Sequence, residues 1–192
     1  MKIKASVLAI KKITQLAALS FTLSILAPMT SAYADETSCS PFTPLLKGQE
    51  DFVYVWTLGE KGLGDGSDKL VTVDANPSSA NYGKVIAKVS VGGRGEAHHM
   101  GYTDDRKFLW AGALDSNKIF IFDVATNPAK PKLVRTIKNF VAKAGLVGPH
   151  TFYATPGRML VGALSNPKDH GGKTGIATYT NSGQYVTTTM MY

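Results

Sequence analysis

Apolar residues recur along this chain in short runs rich in β-branched and aromatic side chains, cut by Gly, Pro, Asn and Asp. That pattern predicts strands joined by turns. Phe52-Val-Tyr-Val-Trp-Thr57 reads as a strand, and the charged, glycine-containing stretch Glu60 to Asp68 as a loop. Lys69 to Asp74 and Gly83 to Val91 follow as strands, with Asn76-Pro77 turning the chain between them. A second set runs His99 to Tyr102, Phe108 to Leu114, Lys118 to Val124 and Lys132 to Ile137, and a third runs His150 to Tyr153, Arg158 to Leu164, Gly175 to Tyr179 and Gln184 to Val186. Only Asn139 to Ala144 reads as briefly helical, and residues 35–50, rich in Pro, Ser and Thr, as an extended lead-in. The expected class is all-β.

The sets echo one another. His99-Met-Gly-Tyr-Thr leads to Lys107-Phe-Leu-Trp-Ala-Gly-Ala-Leu114, and His150-Thr-Phe-Tyr-Ala-Thr leads to Arg158-Met-Leu-Val-Gly-Ala-Leu164. His99 precedes Gly112 by 13 residues and His150 precedes Gly162 by 12; the two histidines are 51 residues apart, and Val73-Asp74 returns as Phe122-Asp123 after 49. Four short strands per period of about 50 residues is the signature of a β-propeller blade. A β-sandwich explains the strands but not the echo. The count gives the outer part of one blade, a full blade and most of a third: an incomplete propeller of two and a half to three four-stranded antiparallel blades. Closure takes at least four, and Thr187 to Tyr192 carries no turn, cap or closing strand. The expectation is a partial propeller domain over residues 51–192, the N-terminal part of a longer protein truncated at its C-terminus.

Residues 1–34 are set apart. Lys2, Lys4, Lys11 and Lys12 precede an uncharged apolar run from Ile13 to Ala27, and Ala32-Tyr33-Ala34 is a small-x-small pattern followed by Asp35 and Glu36. This is the layout of a secretory signal peptide, and it implies a periplasmic or secreted protein after cleavage near Ala34. The run is too short and too rich in Ser, Thr and Gln for a stable membrane span. The whole sequence carries a formal charge of +7; without the four leading lysines 17 basic residues face 14 acidic ones, about +3. No basic run or basic-aromatic stripe remains, which excludes a nucleic-acid footprint. One cysteine, Cys39, permits no internal disulfide and is read as an inert thiol in the lead-in, with a reactive or intermolecular role as the alternative. Nothing in the sequence speaks to oligomeric state.

The chemistry is concentrated in the histidines. The inner strands of successive blades line a central channel, so residues at one phase of the repeat form a ring at one height. His99 and His150 begin such strands, and imidazoles converging there suit Cu, Zn, Fe or Ni. Adjacent strand residues point to opposite faces. His98 therefore joins them only if Gly95-Glu96-Ala97 bends the chain, and Glu96 is a candidate for orienting a ring nitrogen from behind. The metal-site candidates are thus His98, His99 and His150. His170, in Asn166-Pro-Lys-Asp-His-Gly-Gly172, lies in a polar loop out of phase and is read as solvated. Asp74 and Asp123 end third strands, where an Asp bonds turn backbone. There is no G-x-S-x-G, P-loop or C-x-x-C; Gly62-Leu-Gly-Asp-Gly66 precedes no helix, and Met190-Met191 carries no assignment.

Asp51-Phe-Val-Tyr-Val-Trp56, Lys69-Leu-Val-Thr-Val-Asp-Ala-Asn-Pro77, Glu96-Ala-His-His-Met-Gly101, Lys118-Ile-Phe-Ile-Phe-Asp-Val124, Pro131-Lys-Leu133 and Gly148-Pro-His-Thr151 together resemble the selenium-binding protein family, which includes methanethiol oxidases. The resemblance runs from about Cys39 to Val186 and covers the N-terminal portion, under half, of a full-length member. It implies a β-propeller and a copper-dependent oxidoreductase that turns methanethiol and oxygen into formaldehyde, hydrogen sulfide and hydrogen peroxide. It also implies that His98, His99 and His150 hold the copper, with a further ligand beyond Tyr192. In animal members a cysteine linked to selenium follows the Val-Tyr strand; Thr57 stands there in this chain, so selenium held by that thiol is not implied, and Cys39 matches a different cysteine. A non-catalytic propeller that binds selenium, a small ligand or a protein is the alternative. A lactonase-like hydrolase would need carboxylate calcium ligands, and no acid stands beside the histidines in both repeats.

Overall fold

In the structure, a computed structural model, residues 48–169 and 171–191 are described. All of them belong to the second of the chain's two units, Glu36–Tyr192. The leader, Cys39 and His170 lie outside the described residues. Among the described residues no helix is long and apolar enough to cross a membrane.

Among the described residues eleven strands and one short helix form: β1 Phe52–Thr57, β2 Lys69–Asp74, β3 Val85–Ser90, β4 Ala97–Tyr102, β5 Phe108–Ala113, β6 Lys118–Asp123, β7 Lys132–Ile137, α1 Phe140–Ala144, β8 Val147–Thr155, β9 Arg158–Ser165, β10 Gly175–Thr180 and β11 Tyr185–Met190. They make three antiparallel meanders, β1-β2-β3, β4-β5-β6-β7 and β8-β9-β10-β11. These are the expected blades of a β-propeller. Two strands, β11 and β8, run furthest past their expected bounds. β11 continues through Thr187-Thr-Thr-Met190, because three β-branched threonines suit an extended backbone and pair with Gly175–Thr178 of β10. β8 begins at Val147 and holds Pro149 where its pairing with β9 is irregular, a place where a missing N–H is tolerated.

The middle sheet explains why its strands read as continuous apolar runs rather than alternating ones. On one side Leu109, Ala111, Ala113, Phe120 and Phe122 pack with Trp56 and Leu70 of the first sheet. On the other, Trp110, Ile119 and Ile121 pack with Phe152, Met159, Val161 and Tyr179 of the third. A sheet covered on both faces has no polar side to show, and a two-sheet sandwich has no such middle layer. Aromatic rings lock the layers. Trp56 lies 5.7 Å from Phe120 and 5.8 Å from Phe122, and its indole N–H donates to the Gly112 carbonyl at 2.8 Å. Trp110 meets Tyr179 edge-on at 5.7 Å.

The turns behave as short polar side chains require. Asp74 accepts from the Asn76 N–H and the Ser79 hydroxyl, and Asp123 from the N–H groups of Ala125 and Thr126 and the Thr126 hydroxyl. Both bond turn backbone, as expected. α1 ends at Gly145, whose left-handed backbone (φ 68°) returns its N–H to the Val141 carbonyl; this single turn carries the chain into β8.

Candidate metal centre

β4 and β8 are the inner edge strands of the second and third sheets and lie beside each other. Their pairing with β5 and β9 contains the same irregularity. Ala97 faces Ala113 and Met100 faces Ala111, so His98 and His99 together stand opposite Gly112 alone. Pro149 faces Ala163 and Phe152 faces Val161, so His150 and Thr151 stand opposite Gly162. Two residues against one is a β-bulge, which re-aims side chains that a regular strand would send to opposite faces.

The bulge brings His98 and His99 to one spot. Their ring centroids are 4.5 Å apart, and each lies within 4.6 Å of the His150 ring. Nε2 of His98 is 3.0 Å from Nε2 of His150. One nitrogen from each of the three rings lies within 4.8 Å of the other two. Metal–nitrogen bonds of about 2 Å place neighbouring ligand atoms about 3 Å apart, so this donor set fits a single ion. Among the described residues it is the one group of three or more His, Cys, Asp or Glu able to do so.

The spacing argument misassigned the partners. It pairs His99 with His150, because it assumes hairpins of nearly equal length. The registers match Met100 and Ala111 to Phe152 and Val161, an offset of 52 on the inner strand and 50 on the next. His98 is thus the counterpart of His150, and His99 that of Thr151. The β4–β5 turn is longer by two residues, not one.

The bend predicted at Gly95-Glu96-Ala97 is present, and Glu96 makes it with φ 64°. Its counterpart two residues ahead of His150 is Gly148, with φ 67°. A left-handed residue thus precedes each of the two matched histidines. Glu96 does not orient an imidazole. Its carboxyl shares a hydrogen bond with Asp115, and this, with burial, raises its pKa.

Two of the rings are biased toward the neutral form. Burial and the neighbouring His98 hold the His99 pKa below the ordinary 6.5. Burial, His99 and His98 do the same for His150. A metal takes the neutral ring.

Two supporting residues escaped the sequence reading. Asp68 and Asn117 each stand immediately before a third strand, and each accepts an N–H from the chain that leads to a histidine: Gly95 at 2.9 Å and Gly148 at 2.7 Å. Their sequence signal is an Asx-Lys-aliphatic echo, Asp68-Lys69-Leu70 and Asn117-Lys118-Ile119.

The profile of the family described as "56kDa selenium binding protein (SBP56)" matches residues 33–186. The chain is 61% identical over 161 residues to a methanethiol oxidase from Hyphomicrobium sp, covering 83% of this chain and 37% of that protein. It is 57% identical over 161 residues to one from Ruegeria pomeroyi, with the same coverage. The chain therefore spans 37% of the length of these relatives. Among solved structures, a hypothetical selenium-binding protein from Sulfolobus tokodaii matches with TM-score 0.68 and 27% identity, over 79% of this chain and 37% of that one.

Proposed function

Because this chain belongs to the 56 kDa selenium-binding protein family, we propose that it supplies three of the copper ligands of an exported methanethiol oxidase. The reaction consumes one methanethiol, one oxygen and one water and yields one formaldehyde, one hydrogen sulfide and one hydrogen peroxide, which balances in atoms and electrons. The observation that carries this reading is the convergence of His98, His99 and His150 within 4.8 Å. Copper bound there would supply a soft acceptor for a thiolate and electron exchange with oxygen.

The residues of this chain have definable parts. The bulge at His98-His99 lets one strand contribute two donors where a regular strand contributes one. The lowered pKa values of His99 and His150 keep both rings available as ligands at neutral pH. His98 and His99 are exposed and His150 half-buried in this chain. Selenium held through a thiol at the end of β1 is not part of this reading. Thr57 stands there, and its hydroxyl donates to the Lys69 carbonyl as an ordinary strand residue.

The test is copper analysis of the purified chain together with oxygen uptake on methanethiol. Stoichiometric copper, lost with the triple replacement of His98, His99 and His150 by Ala, supports the site. Methanethiol oxidation undiminished in metal-free protein would end the copper assignment. Copper or small-ligand binding with no uptake would favour the non-catalytic binding protein for this stretch of chain.

A further inference from the structure

The rings of a metal site are normally oriented by an acceptor on the second nitrogen, a carboxylate or a carbonyl. Among the described residues no such oxygen bonds His98, His99 or His150; the one hydrogen bond to these rings is between His98 and His150 themselves. Their aim is therefore set through the backbone. We propose that Asp68 and Asn117 are the positioning residues of this site, each fixing from one blade the backbone bend that points the next blade's histidine at the ion. The proposal rests on the metal-site reading above.

Asp68 is fully buried, and its bonds leave its own sheet. Oδ1 accepts the Gly59 N–H at 2.8 Å and Oδ2 the Gly95 N–H at 2.9 Å. Its own N–H donates to the Gly93 carbonyl, and its carbonyl accepts the Val91 N–H. Asp68 thus bonds Val91, Gly93 and Gly95, three residues of the crossover from the first blade to the second. Gly95 is also pressed against the second blade, since a Cβ there would collide with Ser116 Oγ. Asn117 repeats the device. Its Oδ1 accepts the Gly148 N–H, and a Cβ on Gly148 would lie 3.2 Å from Leu164 Cβ.

The bond falls on or beside the left-handed residue in both cases: Gly95 precedes Glu96, and Gly148 is itself left-handed. A non-glycine residue adopts that conformation only against a steric penalty, and an extended Glu96 would send His98 to the other side of β4. Something outside β4 must hold the bend: Leu114 and Ser116 donate to the Glu96 and Gly95 carbonyls from the second blade, and Asp68 holds the Gly95 N–H from the first. The contrast with Asp74 and Asp123 is direct. They end the same strands that Asp68 and Asn117 precede, yet they bond only within their own turns.

Copper(II) titration of the metal-free chain against a competing chelator, read with the copper EPR spectrum, tests this. Asn117 lies at φ 52°, so Asn117→Gly keeps the backbone and deletes only the acceptor, while Asn117→Asp keeps an acceptor oxygen. Asn117→Gly should weaken copper binding about 10-fold or more and alter the EPR spectrum. Asn117→Asp should restore both. Asp68→Asn, which retains one of two acceptor oxygens, should move affinity and spectrum in the same direction as Asn117→Gly, and serves if that variant does not fold. Wild-type affinity and spectrum in Asn117→Gly, or equal losses in Asn117→Gly and Asn117→Asp, would overturn the positioning role while leaving the metal site standing. A wild-type chain that takes up no copper would overturn both.

Discussion

His98 and His150 occupy the same register position in adjacent blades, and their Nε2 atoms are 3.0 Å apart. Two imidazole nitrogens at that distance share a hydrogen only if one ring donates and the other accepts, so at least one of the pair is neutral. An ion binding between them displaces that hydrogen. Replacing either residue by Ala should weaken copper binding by more than about 100-fold, the upper end of what losing an outer partner costs. His98 is exposed and His150 only half-buried, so thermal unfolding of the metal-free variants should stay within about 0.5 kcal/mol of the parent for His98→Ala and shift somewhat more for His150→Ala.

Acid should release the metal before it unfolds the blades. Ordinary imidazole titrates near 6.5, and His99 and His150 lie below it in the folded chain. Above that range the rings are neutral in both folded and unfolded chains. As pH falls below it the unfolded chain takes up protons first, so the two histidines withdraw stability until they too are charged in the fold. Copper affinity measured from pH 8 to pH 5 should hold in the upper part of that interval and fall steeply in the lower. A flat profile would exclude imidazole ligands.

Asp104 clamps the second blade to the third at the end remote from the histidines. Its carboxylate accepts the Gly157 N–H at 2.8 Å and the Asn181 amide. Burial opposes its ionisation, but these donors and nearby backbone N–H groups outweigh burial and lower its pKa. The stabilisation is present above the ordinary value of 3.8 and is lost as pH falls through the lowered one. Asp104→Ala should cost about 1–3 kcal/mol in urea unfolding, with copper affinity unchanged. A loss of affinity would mean the two ends of the blade are coupled.

The glycines facing the two bulges should differ in tolerance. A Cβ on Gly112 would lie 2.9 Å from the Pro149 carbonyl and 3.0 Å from the Phe152 ring, whereas on Gly162 the close neighbour is Thr151 Oγ1 at 2.5 Å. Backbone and a packed ring cannot move aside; an exposed threonine can rotate. Gly112→Ala should therefore destabilise by about 1–3 kcal/mol, and Gly162→Ala by clearly less. Urea denaturation of the pair checks the order.

Strands and blades were legible because the physics that forms them is written locally. Phe108-Leu-Trp-Ala-Gly-Ala113 and Lys118-Ile-Phe-Ile-Phe122 are apolar throughout because both faces of their sheet are covered. The 49-residue return of Asp74 as Asp123 is a turn requirement repeated. The three candidate histidines were legible as residues, and the need for a bend before His98 follows from strand geometry alone. What was not legible is register. A bulge leaves no mark in composition, and a hairpin longer by two residues looks the same as one longer by one residue plus a shifted partner. Glu96 misled for a related reason. Its neighbours in sequence are histidines, but its left-handed backbone turns the carboxyl to Asp115. Asp68 was read as loop because its partners, Gly59 and Gly95, are distant in sequence and bond through backbone atoms that no side-chain pattern records.

The two-residue excess of the β4–β5 hairpin over β8–β9 has a further consequence. The histidines hang from the upstream ends of their strands, while the extra residues enter downstream, beyond Tyr102. Turn length at that lower rim is therefore a variable the fold can change without disturbing ligand geometry. The rim can take an insertion with the ligands undisturbed so long as Asp104 keeps its bonds to Gly157 and Asn181, and the opposite mouth is where even one would be felt.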